Sequence, residues 1–111
     1  MTALPNGDRA IVDIRKLEEY CLSPAHPRGR HKVRVFREVL GIDRSAALWL
    51  RNVLLDAART VDAVELATDA YGIRWQVDAA VERHGKSNVI RTIWMVRSGE
   101  DVPRFVTCWV L

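Results

Sequence analysis

Ile73-Arg74-Trp75-Gln76-Val77-Asp78-Ala79-Ala80-Val81-Glu82-Arg83, then His84-Gly85-Lys86-Ser87, then Asn88-Val89-Ile90-Arg91-Thr92-Ile93-Trp94-Met95-Val96 is the stretch that decides the fold. Apolar and polar residues take turns, and β-branched and aromatic side chains are dense. Both are marks of strands with one buried face. His84-Gly85-Lys86-Ser87 is short and turn-forming, so it joins antiparallel neighbours. Moving toward the C-terminus, Ser98-Gly99-Glu100-Asp101 is a second turn and Arg104–Val110 another strand. Moving the other way, Asp69-Ala70-Tyr71-Gly72 precedes the stretch, and Val61–Thr68 is a strand before it. Four strands joined this closely form a meander.

Upstream of Thr60 the apolar period changes from 2 to 3.6. Asp43 can cap a helix from Arg44 to Arg59, with Leu48, Val53, Leu54, Leu55 and Ala58 as its apolar residues. A helix from Arg30 to Leu40 stops at Gly41, and Asp13 can cap another from Ile14 to Leu22. Residues 1–8 are a turn-rich entry, and Arg9–Asp13 reads as a short strand. Between the first two helices, Ser23-Pro24-Ala25-His26-Pro27-Arg28-Gly29 is a stiff loop, because each proline fixes its own φ and biases its neighbour away from helix. The expected fold is α+β, with N-terminal helices packed on a C-terminal four-stranded antiparallel meander. With 111 residues the chain makes one domain, 1–60 mainly helical and 61–111 the sheet.

Composition narrows the function. At 49% apolar and 28% charged residues the chain is an ordinary globular domain, and no apolar run is long enough to span a membrane. The first residues lack the basic and apolar runs of a secretory signal. Cys21 and Cys108 follow no metal-ligand spacing and read as small buried hydrophobes in a reducing compartment, a disulfide being the alternative. These features point to a cytoplasmic protein. No Walker loop, HExxH, CxxC or GxGxxG occurs, so no metal or cofactor is expected. The net charge of +3 is concentrated: Arg28, Arg30, Lys32, Arg34 and Arg37 lie within 26–37 with no acidic residue, while elsewhere 14 acidic residues outnumber 12 basic ones. A local basic patch suits a polyanion, because cations near phosphates release counterions.

Lys32 is the most informative position. At 100° per residue it falls inside the stripe of Phe36, Val39 and Leu40, whereas Arg30, Arg34 and Arg37 face elsewhere. A lysine at a helix start also opposes the dipole. An anionic ligand, a carboxylate or an exposed cleft would account for it, as would snorkelling at the helix end. His26 and His31 flank Arg28 and Gly29 and could transfer protons, while His84 sits in a turn. On the strands, Thr92 shares a face with Ile90, Trp94 and Val96, and Thr107 with Phe105 and Trp109. Arg91 lies opposite Thr92, and Arg104 starts the last strand. If that face opens beside the second helix, these residues could orient and neutralise a phosphate. Trp49, Trp75, Trp94 and Trp109 serve as core filling, as a partner surface, or as platforms for bases.

The run Leu22–Lys32, the helix end Leu40-Gly41-Ile42, and the segments Val89–Trp94 and Pro103-Arg104-Phe105-Val106-Thr107 resemble a small bacterial domain family. Its members share a Leu-x-Pro-x-His-Pro-x-Gly-x-x-Lys loop and a Pro-Arg-x-Val-Thr strand. More distantly, the layout resembles the barnase, EndoU, colicin and RelE-like ribonuclease-toxin superfamily, whose metal-free sites mix His, Lys or Arg with Ser or Thr. The chain departs from the EndoU pattern, which pairs two histidines in a longer motif. The resemblance implies a metal-independent RNA-cleaving toxin of a bacterial toxin–antitoxin pair. His26 would be base or acid. Lys32 and Arg91 would steady the phosphorane, and Thr92 or Thr107 would orient it. Arg28, Arg30, Arg34 and Arg37 would hold the RNA backbone, with His31 and Arg104 at the margins. The rival reading is a non-enzymatic interaction protein, either the antitoxin or immunity partner or a dimerising adaptor. Its partner would be a neighbouring-gene product or a second copy of the chain.

Overall fold

The His84-Gly85 turn places both residues at positive φ, 52° and 77°, the twist that matches right-handed antiparallel strands. The structure, a computed structural model, describes residues 2–23 and 30–111, without the side chains of Arg30 and His31. The turn joins β2 (Gly72–Arg83) and β3 (Lys86–Arg97), two twelve-residue strands paired from Gly72↔Arg97 to Arg83↔Lys86 without a slip. β1 (Ala63–Asp69) lies along β2, and β4 (Pro103–Val110) along β3. The sheet order is therefore β1-β2-β3-β4, all antiparallel. The approach to β2 is tight: Gly72 has φ 146°, and a Cβ there would stand 2.1 Å from the Val96 carbonyl oxygen. Only glycine fits that position.

One sheet face is buried. Trp75, Val77, Ala79 and Val81 from β2, and Ile90, Thr92 and Trp94 from β3, point into the core. Helices cover them. α1 (Ile14–Lys16) is capped by Asp13, whose carboxylate accepts from the Arg15 amide. It continues as a π-helical turn, Leu17–Cys21, closed by the Leu22 amide donating to the Leu17 carbonyl at 2.8 Å. α2 (Arg30–Leu40) packs on β3 and β4, burying Val33, Phe36 and Leu40, and Gly41 ends it at φ 64°. After a 3₁₀ turn at Arg44–Ala46, capped by Asp43, α3 (Ala47–Thr60) lies on β2 with Leu50, Leu54, Ala57 and Ala58 inward. Trp94 and Phe105 meet edge to face, centroids 5.6 Å apart, at the centre.

Four local expectations change. Arg9–Asp13 forms no strand. Gly7–Arg9 is a 3₁₀ turn, and Ile11 alone bridges to Arg104 in parallel. The helix expected over Ile14–Leu22 has a π-helical second half. In α3, Leu48 is 61% exposed, because the core-facing stripe runs through Leu50 and Leu54 instead. In β4 a bulge breaks the alternation: Thr107 pairs with Ile93 and Phe105 with Trp94, leaving Val106 without a partner. Phe105 and Cys108 both turn inward as a result, and Thr107 does not share a face with Phe105.

β4 is an edge strand, and its free side is partly closed. The Ile11 amide donates to the Pro103 carbonyl, and the Phe105 amide donates to the Ile11 carbonyl, each at 2.9 Å. Lys16 Nζ then donates to the Phe105 carbonyl at 2.8 Å. Beyond Phe105 this edge meets the start of α2.

Candidate functional site

Lys32 lies in the first turn of α2, on the face that packs toward β4. Its half-buried side chain reaches the β4 edge just past the bulge. Nζ donates to Thr107 Oγ1 at 3.3 Å and sits 5.2 Å from the Trp109 ring centroid and 5.8 Å from that of Tyr20. Among the described residues no carboxylate lies within ion-pair distance of it. Two aromatic faces and a hydroxyl hold the cation instead. Cation–π contacts contribute about 0.5–2 kcal/mol according to desolvation, enough to keep the side chain in place without neutralising its charge.

The ammonium divides two open clefts. One, of about 420 Å³, is lined by Lys16, Tyr20, Lys32, Val106 and Thr107. The other, of about 460 Å³, is lined by Lys32, Val35, Trp109 and Val110. Both clefts are mainly apolar; Lys16 and Thr107 line the Tyr20 side, and Lys32 is the one charged side chain of the Trp109 side. Lys16 and Tyr20 are i and i+4 across the α1–π junction, so they reach the same edge. Sequence reasoning missed both. Their spacing signals a shared face but not which strand it meets.

Behind the lysine, polar groups continue inward to the two cysteines. Thr107 accepts from Lys32. Both cysteines are free thiols with no exposed surface. The Cys108 thiol and backbone amide, with the Thr107 hydroxyl and the Lys32 charge, hold the Cys21 thiol down at about 7. Cys108 is pushed well above the ordinary thiol range by Cys21 beside it and by burial. Of the two, Cys21 ionises first. The wide π-helical turn that ends at Cys21 is what brings its sulfur to β4.

The other candidates distribute unevenly. Thr92 does not reach the site. It has no exposed surface, its hydroxyl donates to the Val77 carbonyl at 2.6 Å, and it accepts from Trp94 Nε1 at 2.8 Å. It is a core hydrogen-bonding residue, because the even-numbered face of β3 is the buried one. Arg91 is the register partner of Trp109, so it stands beside the site, but Asp78 holds it through two bonds of 3.0 Å. Arg104 is held likewise by Glu100, at 3.1 Å twice, near the Ile11 end of β4. Arg34 pairs with Glu38 at 3.0 Å along α2, and Arg37 is exposed. His26 and Arg28 lie outside the described residues, as do the side chains of Arg30 and His31. His84 sits in the β2–β3 turn. No three His, Cys, Asp or Glu side chains converge among the described residues.

The fold and this edge define a class: an α+β domain with helices on one face of a four-stranded meander, and a lysine site where the second helix begins. The chain belongs to the family described as a domain of unknown function (DUF6883), which it matches over residues 3–111. It is similar in fold to a chain of a structure titled "Contact-dependent growth inhibition toxin - immunity protein complex from Klebsiella pneumoniae 342". The TM-score is 0.70 at 17% identity, covering 91% of this chain and 99% of that one. No curated protein matches it in sequence.

Two measurements check these assignments. Thr92→Val leaves the Trp94 indole N–H without its buried partner and takes a donor from the Val77 carbonyl, so urea unfolding should show a loss of about 1–3 kcal/mol. Thr107→Val, at the half-exposed edge, should cost less, and a neutral Thr92→Val would contradict the core role. Thiolate absorbance near 240 nm should rise with a midpoint of about 7 in the wild type and lose that step in Cys21→Ser. Because the folded value is depressed, the Cys21 contribution to stability is complete above the ordinary 9.0 and is lost as pH falls through about 7. A single step above 9 would mean that Cys108, Thr107 and Lys32 do not depress the Cys21 thiol.

Proposed function

We propose that this chain is a metal-independent RNA-cleaving domain, the toxin of a toxin–antitoxin or toxin–immunity pair. The observation that carries the reading is Lys32: a cation with no carboxylate partner among the described residues, fixed by Thr107 and two aromatic rings at an open edge. A cation held this way is pre-positioned for an anion that the domain does not itself supply. The basic run from Arg28 to Arg37 surrounds it in sequence. The fold likeness to a chain of a toxin–immunity complex agrees with this reading.

In the proposed reaction the ribose 2′-hydroxyl attacks the adjacent phosphorus. The P–O5′ bond breaks, leaving a 2′,3′-cyclic phosphate and a 5′-hydroxyl. His26, six residues before Lys32, takes the 2′ proton or protonates the departing 5′ oxygen. Lys32 stabilises the charge that grows on the phosphorane oxygens, and Thr107 holds the lysine in position. Arg91 contributes through whatever donor Asp78 leaves open. Arg28, Arg30, Arg34 and Arg37 hold the RNA backbone, with Arg104 and His31 at the margins. Thr92, being buried, has no part in the reaction.

A different observation favours the interaction-protein reading. Val64 (57%), Leu66 (38%) and Tyr71 (73%) are exposed on or just after the edge strand β1. Apolar groups beside an open strand edge are a common protein contact. A toxin needs such a surface for its inhibitor as much as an inhibitor needs one for its toxin, so the patch supports a protein partner without favouring either role.

Cleavage separates the two. Purified protein should cut RNA in EDTA, leave 2′,3′-cyclic ends, and spare DNA, which lacks the attacking hydroxyl. His26→Ala should slow cleavage by roughly 10²–10⁴-fold. Lys32→Ala should slow it by roughly 10²–10³-fold with little change in melting temperature. Equal cutting by all three proteins would place the activity elsewhere. No cutting by wild type, together with a stable complex with the neighbouring gene product, would establish the interaction protein instead.

A further inference from the structure

The two clefts share Lys32, and each has one aromatic wall. Taking the RNA-cleaving reading as its basis, we infer that they are the two base subsites of a single dinucleotide step. The phosphate would lie on Lys32 between them, one nucleobase against the Trp109 surface that the ammonium leaves open to its cleft and its neighbour against the corresponding surface of Tyr20. In an unstacked strand, neighbouring nucleosides are separated by one phosphate. Here two aromatic walls are separated by one ammonium, with ring centroids 5.2 and 5.8 Å from Nζ. A site for phosphate alone would need neither wall, and a site for an apolar ligand would not place a cation between its halves. Single-stranded nucleic acid asks for this alternation of charge and aromatic platform.

The halves differ in the side chains beside each ring, so they differ in task. Around Trp109 the other walls are Val35 and Val110, whose side chains offer apolar contact alone. That side stacks any base. Around Tyr20 stand Val106 and two side chains with polar ends, Lys16 and Thr107. Lys16 uses one ammonium proton on the Phe105 carbonyl and keeps two. Spare donors at a base edge select acceptors, so the Tyr20 side favours a base whose edge presents carbonyl acceptors without an amino donor beside them, guanine or uracil above adenine and cytosine. Affinity resides on the Trp109 side and sequence preference on the Tyr20 side.

The test is a double-mutant cycle on binding. The probes are a fluorescent RNA pentamer made uncleavable by 2′-O-methylation and two versions made abasic on the 5′ or the 3′ side of the central phosphate. Trp109→Ala should weaken the intact pentamer by roughly 5- to 150-fold, the usual worth of one stacked base. It should have little further effect on one of the two abasic probes and its full effect on the other. Tyr20→Ala should show the reverse assignment. Trp109→Phe and Tyr20→Phe keep a ring and should retain most of the affinity, which separates stacking from misfolding. Lys16→Ala should flatten the preference for guanine or uracil without changing which abasic probe is insensitive. If wild type binds and cleaves while both alanine variants weaken all three probes equally, the subsite assignment is wrong and the RNA reading stands. If wild type neither binds the pentamer nor cleaves RNA, the RNA reading fails and the subsites with it.

Discussion

The extra residue in β4 is the constraint on which the rest of the site depends. Val106 has no partner across β3, so the strand changes the side it buries between Phe105 and Cys108. Without that slip, a regular strand that buries Phe105 would also bury Thr107 and turn Cys108 outward. With it, Phe105 completes the edge-to-face pair with Trp94, Cys108 meets Cys21 in the core, and Thr107 is left at the rim to receive Lys32. Bulges are a common means of re-aiming one side chain at a sheet edge, and this one aims the hydroxyl that locates the lysine.

The electrostatics follow from the same edge. Several arginines of the described residues have carboxylate partners close at hand: Asp78 for Arg91, Glu100 for Arg104, Glu38 for Arg34. Their charges are balanced before any ligand arrives. Lys32 is balanced by ring faces and a hydroxyl, which hold a cation without cancelling it, at a helix start where the dipole already disfavours it. That unfavourable placement is tolerable because the stem packs and the head is partly hydrated. It becomes favourable when an anion binds. The exposed apolar group at β1 lies at the opposite edge of the sheet from β4, with β2 and β3 between, so a protein partner and an RNA strand need not compete for the same surface.

The sheet and helices were legible because their signals are long. Twelve-residue strands with a Gly turn, and helices capped by Asp13 and Asp43, announce themselves by period and punctuation. Lys32 was legible too, since a charge inside an apolar stripe is a local contradiction that tertiary structure has to resolve. The bulge was not: one unpaired residue at Val106 leaves no mark in the alternation of a short strand. It led the sequence to group Thr107 with Phe105. Thr92 misled in the opposite way. A hydroxyl among apolar neighbours reads as reactive, and only the positions of the Val77 carbonyl and the Trp94 indole reveal it as satisfied. Tyr20 and Lys16 were missed because their spacing marks a shared face without naming the strand it meets, and the π-helical turn that carries Tyr20 has no sequence signature.

The central claim is that the β4 edge at Lys32 receives a phosphate, and one spectrum tests it most directly. With ¹³Cε-labelled lysine and ¹⁵N-labelled tryptophan, the free and RNA-bound domain can be compared using an uncleavable single strand. The account predicts that the Lys32 ε-methylene and the Trp109 indole N–H shift together and saturably, while Lys86, at the start of β3 beside the C-terminal end of α2, and Trp75, in the core, stay in place. Saturable binding that moves Lys86 or Trp75 and leaves Lys32 unchanged would contradict it.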